Sequence, residues 1–316
     1  MVKIAISGAT GGVAQEVLDV LAARKKHEII LISRNIIPTE KLAPGVTSVQ
    51  TDYKNEEELV KTLQGVNTVL CFIVSQSDPG SVSQKVLINA AVKAGVKRYA
   101  PSEWASSGFD HMPWYEGKAK IREYLAELNK ENKVLEYCLF HPGLFTNYFA
   151  RPYKTSEHVV AFELQWDFNG RRAIVIDGTD GGSINFITIK DFTDVIARAV
   201  EFEGEWPLVG GIRGDVLTVE QLVALGEKIR GPFLVERVPI DDLKRMSFKT
   251  SWLPIADHPA IPVETRKEVA AGMVSGILQA VNAGAFSVTD EWNKLLPDKK
   301  FTTAEEFLTE VWEGKP

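Results

Sequence analysis

The first 145 residues alternate between two periodicities. Short apolar runs, of which IAI, IILI and VLCFIV are the clearest, are separated by roughly ten to fifteen residues of helical pattern. Runs that are apolar at every position, rather than at every second one, suit strands covered on both faces. That is the pattern of a parallel sheet whose strands are joined by right-handed crossover helices. It predicts strands over Lys3–Ser7, Glu28–Ser33, Val46–Thr51, Thr68–Val74, Arg98–Pro101 and Leu135–His141, and helices over Gly12–Arg24, Asn55–Leu63, Ser81–Ala94 and Glu116–Asn129. Gly65 and Gly95 fall where two of these helices should stop.

After Pro142 the rhythm changes. Irregular, aromatic-rich sequence runs to about Gly182, then Ile184–Ile189 and Asp191–Val200 read as a strand and a helix returning to the sheet. From Gly204 onward the pattern is of isolated helices. Two open on capping boxes, Thr218-x-x-Gln221 and Thr302-x-x-Glu305 or Thr303-x-x-Glu306, and Pro254, Pro259 and Pro262 interrupt the stretch between them. The expected architecture is α/β: a doubly wound parallel sheet of the NAD(P)-binding Rossmann type, with a smaller, mostly helical C-terminal part. The sheet domain takes residues 1–155, with 184–203 returning to it. Residues 156–183 and 204–316 form the substrate-binding part.

Composition narrows the function classes. With 316 residues, 45% hydrophobic and 25% charged, the chain can bury a large core without metal or disulfide staples. Lys plus Arg is 36 against 42 for Asp plus Glu, a net charge of −6, which provides no basic face for nucleic acid. Cys71 and Cys138 lie in apolar runs without CxxC spacing and read as buried free thiols in a reducing compartment. No HExxH, Cys/His cluster, G-x-S-x-G elbow or GxxxxGK[ST] loop occurs, so no metal site, serine hydrolase or P-loop is expected. The uncharged stretch Val269–Thr289 contains Gln279, Asn282 and three glycines, and reads as a buried helix running into a loop rather than a membrane span. Because Val2–Ser7 already reads as a strand, no signal peptide is expected. The expectation is a soluble, cytoplasmic protein, monomer or homodimer, that contacts neither membrane nor nucleic acid.

The strongest local signal is Gly8-Ala9-Thr10-Gly11-Gly12-Val13-Ala14, directly after strand one and opening helix one. Gly8 permits the tight turn. Gly11 lets main chain approach a diphosphate, and the N–H groups of Thr10, Gly12 and Val13 lie at a helix N-terminus, where the dipole favours an anion. An NAD-preferring site ends its second strand in Asp or Glu. This chain has Ser33-Arg34, and a guanidinium can bind a 2′-phosphate in bidentate fashion, so NADP(H) is the expected cofactor. Asp52-Tyr53 and Ser75-Gln76 follow strands three and four, where open parallel sheets place ligands. Asp52 can equally be a turn cap. Ser75 and Gln76 would face the diphosphate or the nicotinamide.

Strand five ends in Pro101-Ser102-Glu103-Trp104, followed by Trp114-Tyr115-Glu116-Gly117-Lys118-Ala119-Lys120-Ile121-Arg122. With the G-x-x-G-x-x-A loop, the arginine after strand two, the His141-Pro142-Gly143-Leu144-Phe145 run and the late Thr-x-x-Glu-Phe-Leu element, the chain resembles the NmrA-like and isoflavone-reductase-like group of atypical short-chain dehydrogenases. That group includes the plant phenylcoumaran benzylic ether and pinoresinol–lariciresinol reductases. The resemblance spans nearly the whole chain. It implies that the lysine of Lys-Ala-x-Ile-Arg, here Lys118, is the general acid/base beside the nicotinamide. Pro101, Ser102, Pro142, Gly143 and Phe145 would then border the cofactor, and Glu103, Trp104, Trp114, Asn147 and Tyr148 the substrate.

Each of these residues also has a plainer reading. Lys118 can transfer a proton, only anchor the ribose, or be a surface lysine; Glu103 can make a structural hydrogen bond; Phe145 and Asn147 can simply pack. The chain departs from the wider short-chain dehydrogenases in lacking Tyr-x-x-x-Lys, and from the plant reductases in following Pro-Ser-Glu with Trp104-Ala105 rather than Phe-Gly. The resulting expectation is an NADPH-dependent reductase that transfers hydride to a carbonyl or conjugated carbon of a small apolar or aromatic substrate. An NADP(H)-sensing regulator that contacts a protein partner, or an epimerase using the cofactor transiently, are the alternatives.

Overall fold

The structure, a computed structural model, describes residues 2–38, 40, 42–257 and 261–316. Pro259 lies outside the described residues. The sequence folds first into strands and helices that alternate except between the second and third strands, which follow one another without a helix: β1 (Val2–Ser7), α1 (Gly12–Ala23), β2 (His27–Ser33), β3 (Val46–Gln50), α2 (Glu56–Thr62), β4 (Thr68–Cys71), α3 (Val82–Lys93), β5 (Arg98–Ala100), α4 (Glu116–Leu128) and β6 (Glu136–Tyr137). The six strands form one sheet in the order β3-β2-β1-β4-β5-β6, every pair parallel. Order reverses beside β1, the arrangement that opens a ligand crevice at the carboxyl ends of β1 and β4. The continuous apolar runs have the cause expected of them. Ala5, Ile30, Ile32, Val69, Cys71 and Tyr99 of the strands are buried in one cluster with Leu87, Ile88, Ile121 and Leu125 of α3 and α4. Each such large apolar side chain contributes about 1.5–3 kcal/mol.

Two expected strands are cut short by tertiary pairing. The run Thr68–Val74 leaves the ladder after Cys71, because the Gly8 turn stands against the backbone of Phe72 and Ile73. The run Leu135–His141 divides: β6 closes the six-stranded sheet, whereas β7 (Leu139–His141) pairs with β12 (Val209–Gly211).

The chain divides into two compact units. One comprises Met1–Trp104, Trp114–Phe140 and Thr193–Gly210; the other comprises Ala105–Pro113, His141–Phe192 and Gly211–Pro316. The second unit carries two small sheets besides its helices. In the first, β11 (Ser183–Ile187) lies between β8 (Leu144–Phe145) and β13 (Asp215–Thr218); in the other, β10 (Arg172–Ile176) lies between β9 (Trp166–Asp167) and β14 (Leu234–Val238). The strand expected over Ile184–Ile189 therefore pairs in a separate sheet and does not return to the six-stranded one. The helix after it, α5 (Ile189–Glu201), runs from residues of the second unit into residues of the first.

The remaining helices are α6 (Val219–Arg230), α7 (Ile240–Lys244), α8 (Arg266–Asn282), α9 (Glu291–Leu295) and α10 (Ala304–Trp312). The capping boxes are Thr218–Gln221 on α6 and Thr303–Glu306 on α10. Thr302 is otherwise engaged, its N–H donating to Asp191 Oδ2 at 2.9 Å. Cys71 and Cys138 are both buried and unbridged. Among the described residues no helix is long and apolar enough to cross a membrane.

Candidate active site

The turn after β1 is shaped by the chain itself at one glycine and left open at the other. Gly8 has φ +71°, and a Cβ there would stand 2.6 Å from the carbonyl of Phe72, so glycine is obligatory. Gly11 has an ordinary extended backbone, φ −75°, and a Cβ would meet only the Gly8 carbonyl, at 3.5 Å. The chain's own packing therefore gives no reason for glycine at 11. Gly11 is the N-cap of α1, no side chain caps that helix, and its first turn carries no acid. Thr10 is exposed, with Gly11, Gly12 and Val13 part-buried behind it. Open main-chain N–H groups at an uncapped helix N-terminus, with space before them, suit a diphosphate.

At the end of β2, Ser33 is buried and its hydroxyl donates to the Asn35 carbonyl. Arg34 is exposed. It lines an open cleft with Gln50, Thr51, Asp52, Lys54 and the acidic start of α2, and Gln50 Nε2 donates to its carbonyl at 3.0 Å. Asp52 accepts from the Lys54 N–H at 2.9 Å, which makes it a turn cap as well as a cleft residue. Lys54 adds a second cation that the sequence reading passed over.

Tyr53 is not in that cleft. Its ring belongs to the core, and its hydroxyl donates to the Ile32 carbonyl at 2.9 Å and stands 3.3 Å from Ser7 Oγ. Burial pushes the phenol up to about 12. The expectation of Tyr53 as a cofactor contact gives way to a structural tie between β2 and the loop after β3. Its φ of +60° turns the ring inward.

The third loop is built around Lys118. Lys118 and Arg122 lie one turn apart on α4, so both side chains reach the loop that follows β5. The Lys118 Nζ donates to the carbonyls of Ser102 and of Glu103, the latter at 2.7 Å. It stands 5.2 Å from the centre of the Tyr115 ring. Burial lowers its pKa to about 8, against the opposing pull of Glu103. Lys120, two positions on, is exposed and pairs with Glu116 at 2.6 Å. Burial pushes the Tyr115 phenol up to about 12, so it stays protonated near neutral pH and cannot serve as a base. Ser75 packs beside the first turn of α4, where a Cβ on Gly117 would lie 3.2 Å from Ser75 Cβ, and Gln76 Nε2 donates to the Trp114 carbonyl at 3.4 Å. Ser75 and Gln76 thus adjoin the start of α4, while Ser102 is bonded to Lys118.

Two expected substrate residues on this side are otherwise engaged. The Glu103 carboxylate is 1% exposed and is gripped by Arg122, whose Nε lies 3.1 Å from both oxygens. Trp104, at φ +44°, donates its indole N–H to the Cys71 carbonyl at 2.6 Å and stacks on Phe72 and Phe140. Trp114 is part-buried, edge-on to Tyr115 at 6.1 Å.

In the second unit the His-Pro-Gly run is fixed by one buried amide. Asn185 Nδ2 donates to the carbonyls of Pro142 (2.6 Å) and Ile212 (2.9 Å), and Oδ1 accepts from the Gly214 N–H (2.9 Å). Gly143, at φ +79°, is glycine because a Cβ would stand 2.4 Å from the Asn185 carbonyl. Phe145 is a core ring against Tyr148 and Phe192. Asn147 has all its polar capacity in use within the fold: Nδ2 donates to Thr155 Oγ1 and carbonyl, and Oδ1 accepts from the Ile189 N–H at the start of α5. Pro142, Gly143, Phe145 and Asn147 are accordingly accounted for by packing. Tyr148 is part-buried against Phe162. Of the aromatic-rich stretch before Gly182, Phe149 and Phe168 are core.

A family model described as the NmrA-like family matches residues 2–308. The chain belongs to that family. Among curated NmrA-like relatives, the oxidoreductase BOA1 of Botryotinia fuckeliana is 28% identical over 237 residues, 73% of this chain and 77% of its own length. Quinone oxidoreductase 2 of Escherichia coli is 28% identical over 70% of this chain and 72% of its own. The isoflavone reductase of Cicer arietinum is 26% identical over 84% of this chain and 79% of its own. Among solved structures, the Escherichia coli quinone oxidoreductase QOR2 complexed with NADPH superposes with TM-score 0.67 at 23% identity, over 98% of this chain and 99% of that one. The likeness establishes the shared Rossmann-type fold.

Two residues of this NmrA-like chain escaped the sequence reading because they act through noncontiguous contacts. Asp78 accepts from the N–H groups of Ser83 and Gln84 at the start of α3, and buried Gln84 in turn accepts the Ser102 N–H at 2.8 Å. No local pattern marks either one.

Proposed function

We propose that the chain is an NADPH-dependent reductase with Lys118 as the proton donor. The observation that carries this reading is the placement of the Lys118 Nζ. Two of its N–H bonds are taken by the Ser102 and Glu103 carbonyls in either protonation state. The third valence, a proton in the ammonium and a lone pair in the amine, therefore keeps one direction through a catalytic cycle. With its pKa drawn down to about 8, the group exchanges that proton near neutral pH.

The cofactor assignment rests on the fit of the residues. Gly11 leaves the space for a diphosphate at the start of α1, and the second strand ends in exposed Arg34 rather than in an acid that would receive a 2′-hydroxyl. The N–H groups of Gly12 and Val13 would hold the diphosphate, with Arg34 and Lys54 at the 2′-phosphate. When bound, the reduced dinucleotide supplies a hydride. Lys118 gives its proton to the substrate oxygen as the neighbouring carbon accepts that hydride, and the resulting amine is reprotonated from solvent. A quinone, an aryl ketone or a conjugated enone meets these requirements, a class supported by relatives named as quinone oxidoreductase and isoflavone reductase.

The test follows NADPH consumption at 340 nm against a panel of quinones, aromatic ketones and enones, for the wild type and Lys118→Ala. Turnover should fall about 10²- to 10⁴-fold in the variant while NADPH binding persists. The ammonium is the donating form, so the wild-type reductive rate should decline above pH of about 8, as the group loses its proton. Tight NADPH binding with no turnover on any member would overturn the reading in favour of a cofactor-binding regulator.

A further inference from the structure

The Ser102–Glu103 segment that holds Lys118 is itself fastened from two directions. At one end the Ser102 N–H donates to Gln84 Oε1 at 2.8 Å. Gln84 is 3% exposed, and its own backbone N–H is fixed by Asp78 at the start of α3. At the other end the Glu103 carboxylate is clamped by Arg122, which shares a face of α4 with Lys118. Both carbonyls that receive the lysine thus belong to residues immobilised by side chains from two different helices. Neither Gln84 nor the Glu103–Arg122 pair touches the Nζ through its own side-chain polar atoms.

We propose that Gln84 and the Glu103–Arg122 ion pair are positioning residues for the reaction, aligning the Lys118 ammonium through the Ser102 and Glu103 carbonyls and, in the case of the pair, setting its charge balance. This rests on the reading of Lys118 as proton donor. The two elements act differently. Gln84 is neutral and acts by geometry alone. Glu103 and Arg122 act by geometry and by field, with opposite signs: the carboxylate favours the ammonium and the guanidinium disfavours it. The other groups facing Lys118 are Cys71 of β4, whose thiol burial keeps neutral, and the Tyr115 ring. Burial is the largest influence on the lysine, with the carboxylate of the pair opposing it and the guanidinium adding a smaller push in the same direction as burial.

The experiment measures kcat/KM against pH for quinone reduction, with thermal melts and NADPH binding for each variant. Glu103→Gln removes the negative charge and keeps the shape. Arg122, at 23% exposed, can then turn toward water, so this variant is expected to fold. Its alkaline limb should move about one unit toward acid pH. The double variant Glu103→Gln/Arg122→Gln should bring the limb part of the way back. Gln84→Met should lower kcat about tenfold with the limb unmoved and NADPH binding retained. Limbs that coincide with the wild type in all three, and rates that track the folded fraction alone, would overturn the proposal. Lys118→Ala run alongside separates the two claims. A Lys118→Ala variant that keeps its turnover and its alkaline limb removes the lysine reading itself, whereas an inactive Lys118→Ala combined with unshifted limbs in the other variants removes only the positioning residues.

Discussion

Gly11 and Gly143 look alike on paper: each lies in a glycine-containing turn shortly after a strand of an α/β pattern. In the fold they are opposites. A Cβ at Gly143 would stand 2.4 Å from the Asn185 carbonyl at φ +79°, whereas one at Gly11 would stand 3.5 Å from its nearest neighbour at an ordinary φ. The packing of the chain requires glycine at 143 and leaves room for a side chain at 11. The same division runs through the other candidates. Tyr53, Glu103, Phe145 and Asn147 face inward and are satisfied, whereas Arg34 faces an open cleft and Lys118 keeps one valence free of its two carbonyl acceptors.

The comparison breaks most sharply at Gly143. Gly143→Ala should destabilise the fold by about 3 kcal/mol or more, read as a large fall in melting temperature. Arg34→Ala should leave the melting curve in place and weaken NADPH by about 2 kcal/mol, roughly thirtyfold, with NADH little changed. Equal losses for both cofactors would return Arg34 to the status of a surface residue. Asn147→Ala removes the acceptor at the start of α5 and the bonds to Thr155, and should lower stability by about 1–2 kcal/mol without altering KM. A changed KM with unchanged stability would restore Asn147 to the substrate. Gly11→Ala sharpens the contrast from the other side. Its fold should lose no more than about 1 kcal/mol while NADPH binding suffers, and a Gly143-like loss of stability would erase the distinction.

Legibility in the sequence followed the range of the contacts involved. The parallel sheet was readable because IAI, IILI and VLCFIV are local signals of strands covered on both faces. The glycine loop and Arg34 were readable for the same reason, since a turn and the residue ending a strand are contiguous features. Strand pairing was less accessible. Nothing in Leu135–His141 marks Cys138 as the point where the chain leaves one sheet, and nothing in Ile184–Ile189 reveals that its partners are β8 and β13. Side-chain direction was lost as well. Proximity to a strand end suggested Tyr53 as a site residue and the family resemblance suggested Asn147, but a positive φ in one and a waiting helix N–H in the other turn both into the fold. The Lys-Ala-x-Ile-Arg motif marked Arg122, although its purpose became visible only once Glu103 was found within its reach.

The amide of Asn185 bears on how such a protein can change. It bonds three backbone groups, at Pro142, Ile212 and Gly214, and no side chain of those loops takes part. Away from Gly143 and Gly214, where a Cβ would strike a backbone carbonyl, their residues can therefore be exchanged for others of suitable backbone preference, while a deletion or insertion in any one of them detaches it from an anchor shared with the other two. Diversification of the second unit is tolerant in spelling and strict in length around this point. A loop transplanted from a relative should take only where the donor keeps both the asparagine and the spacing.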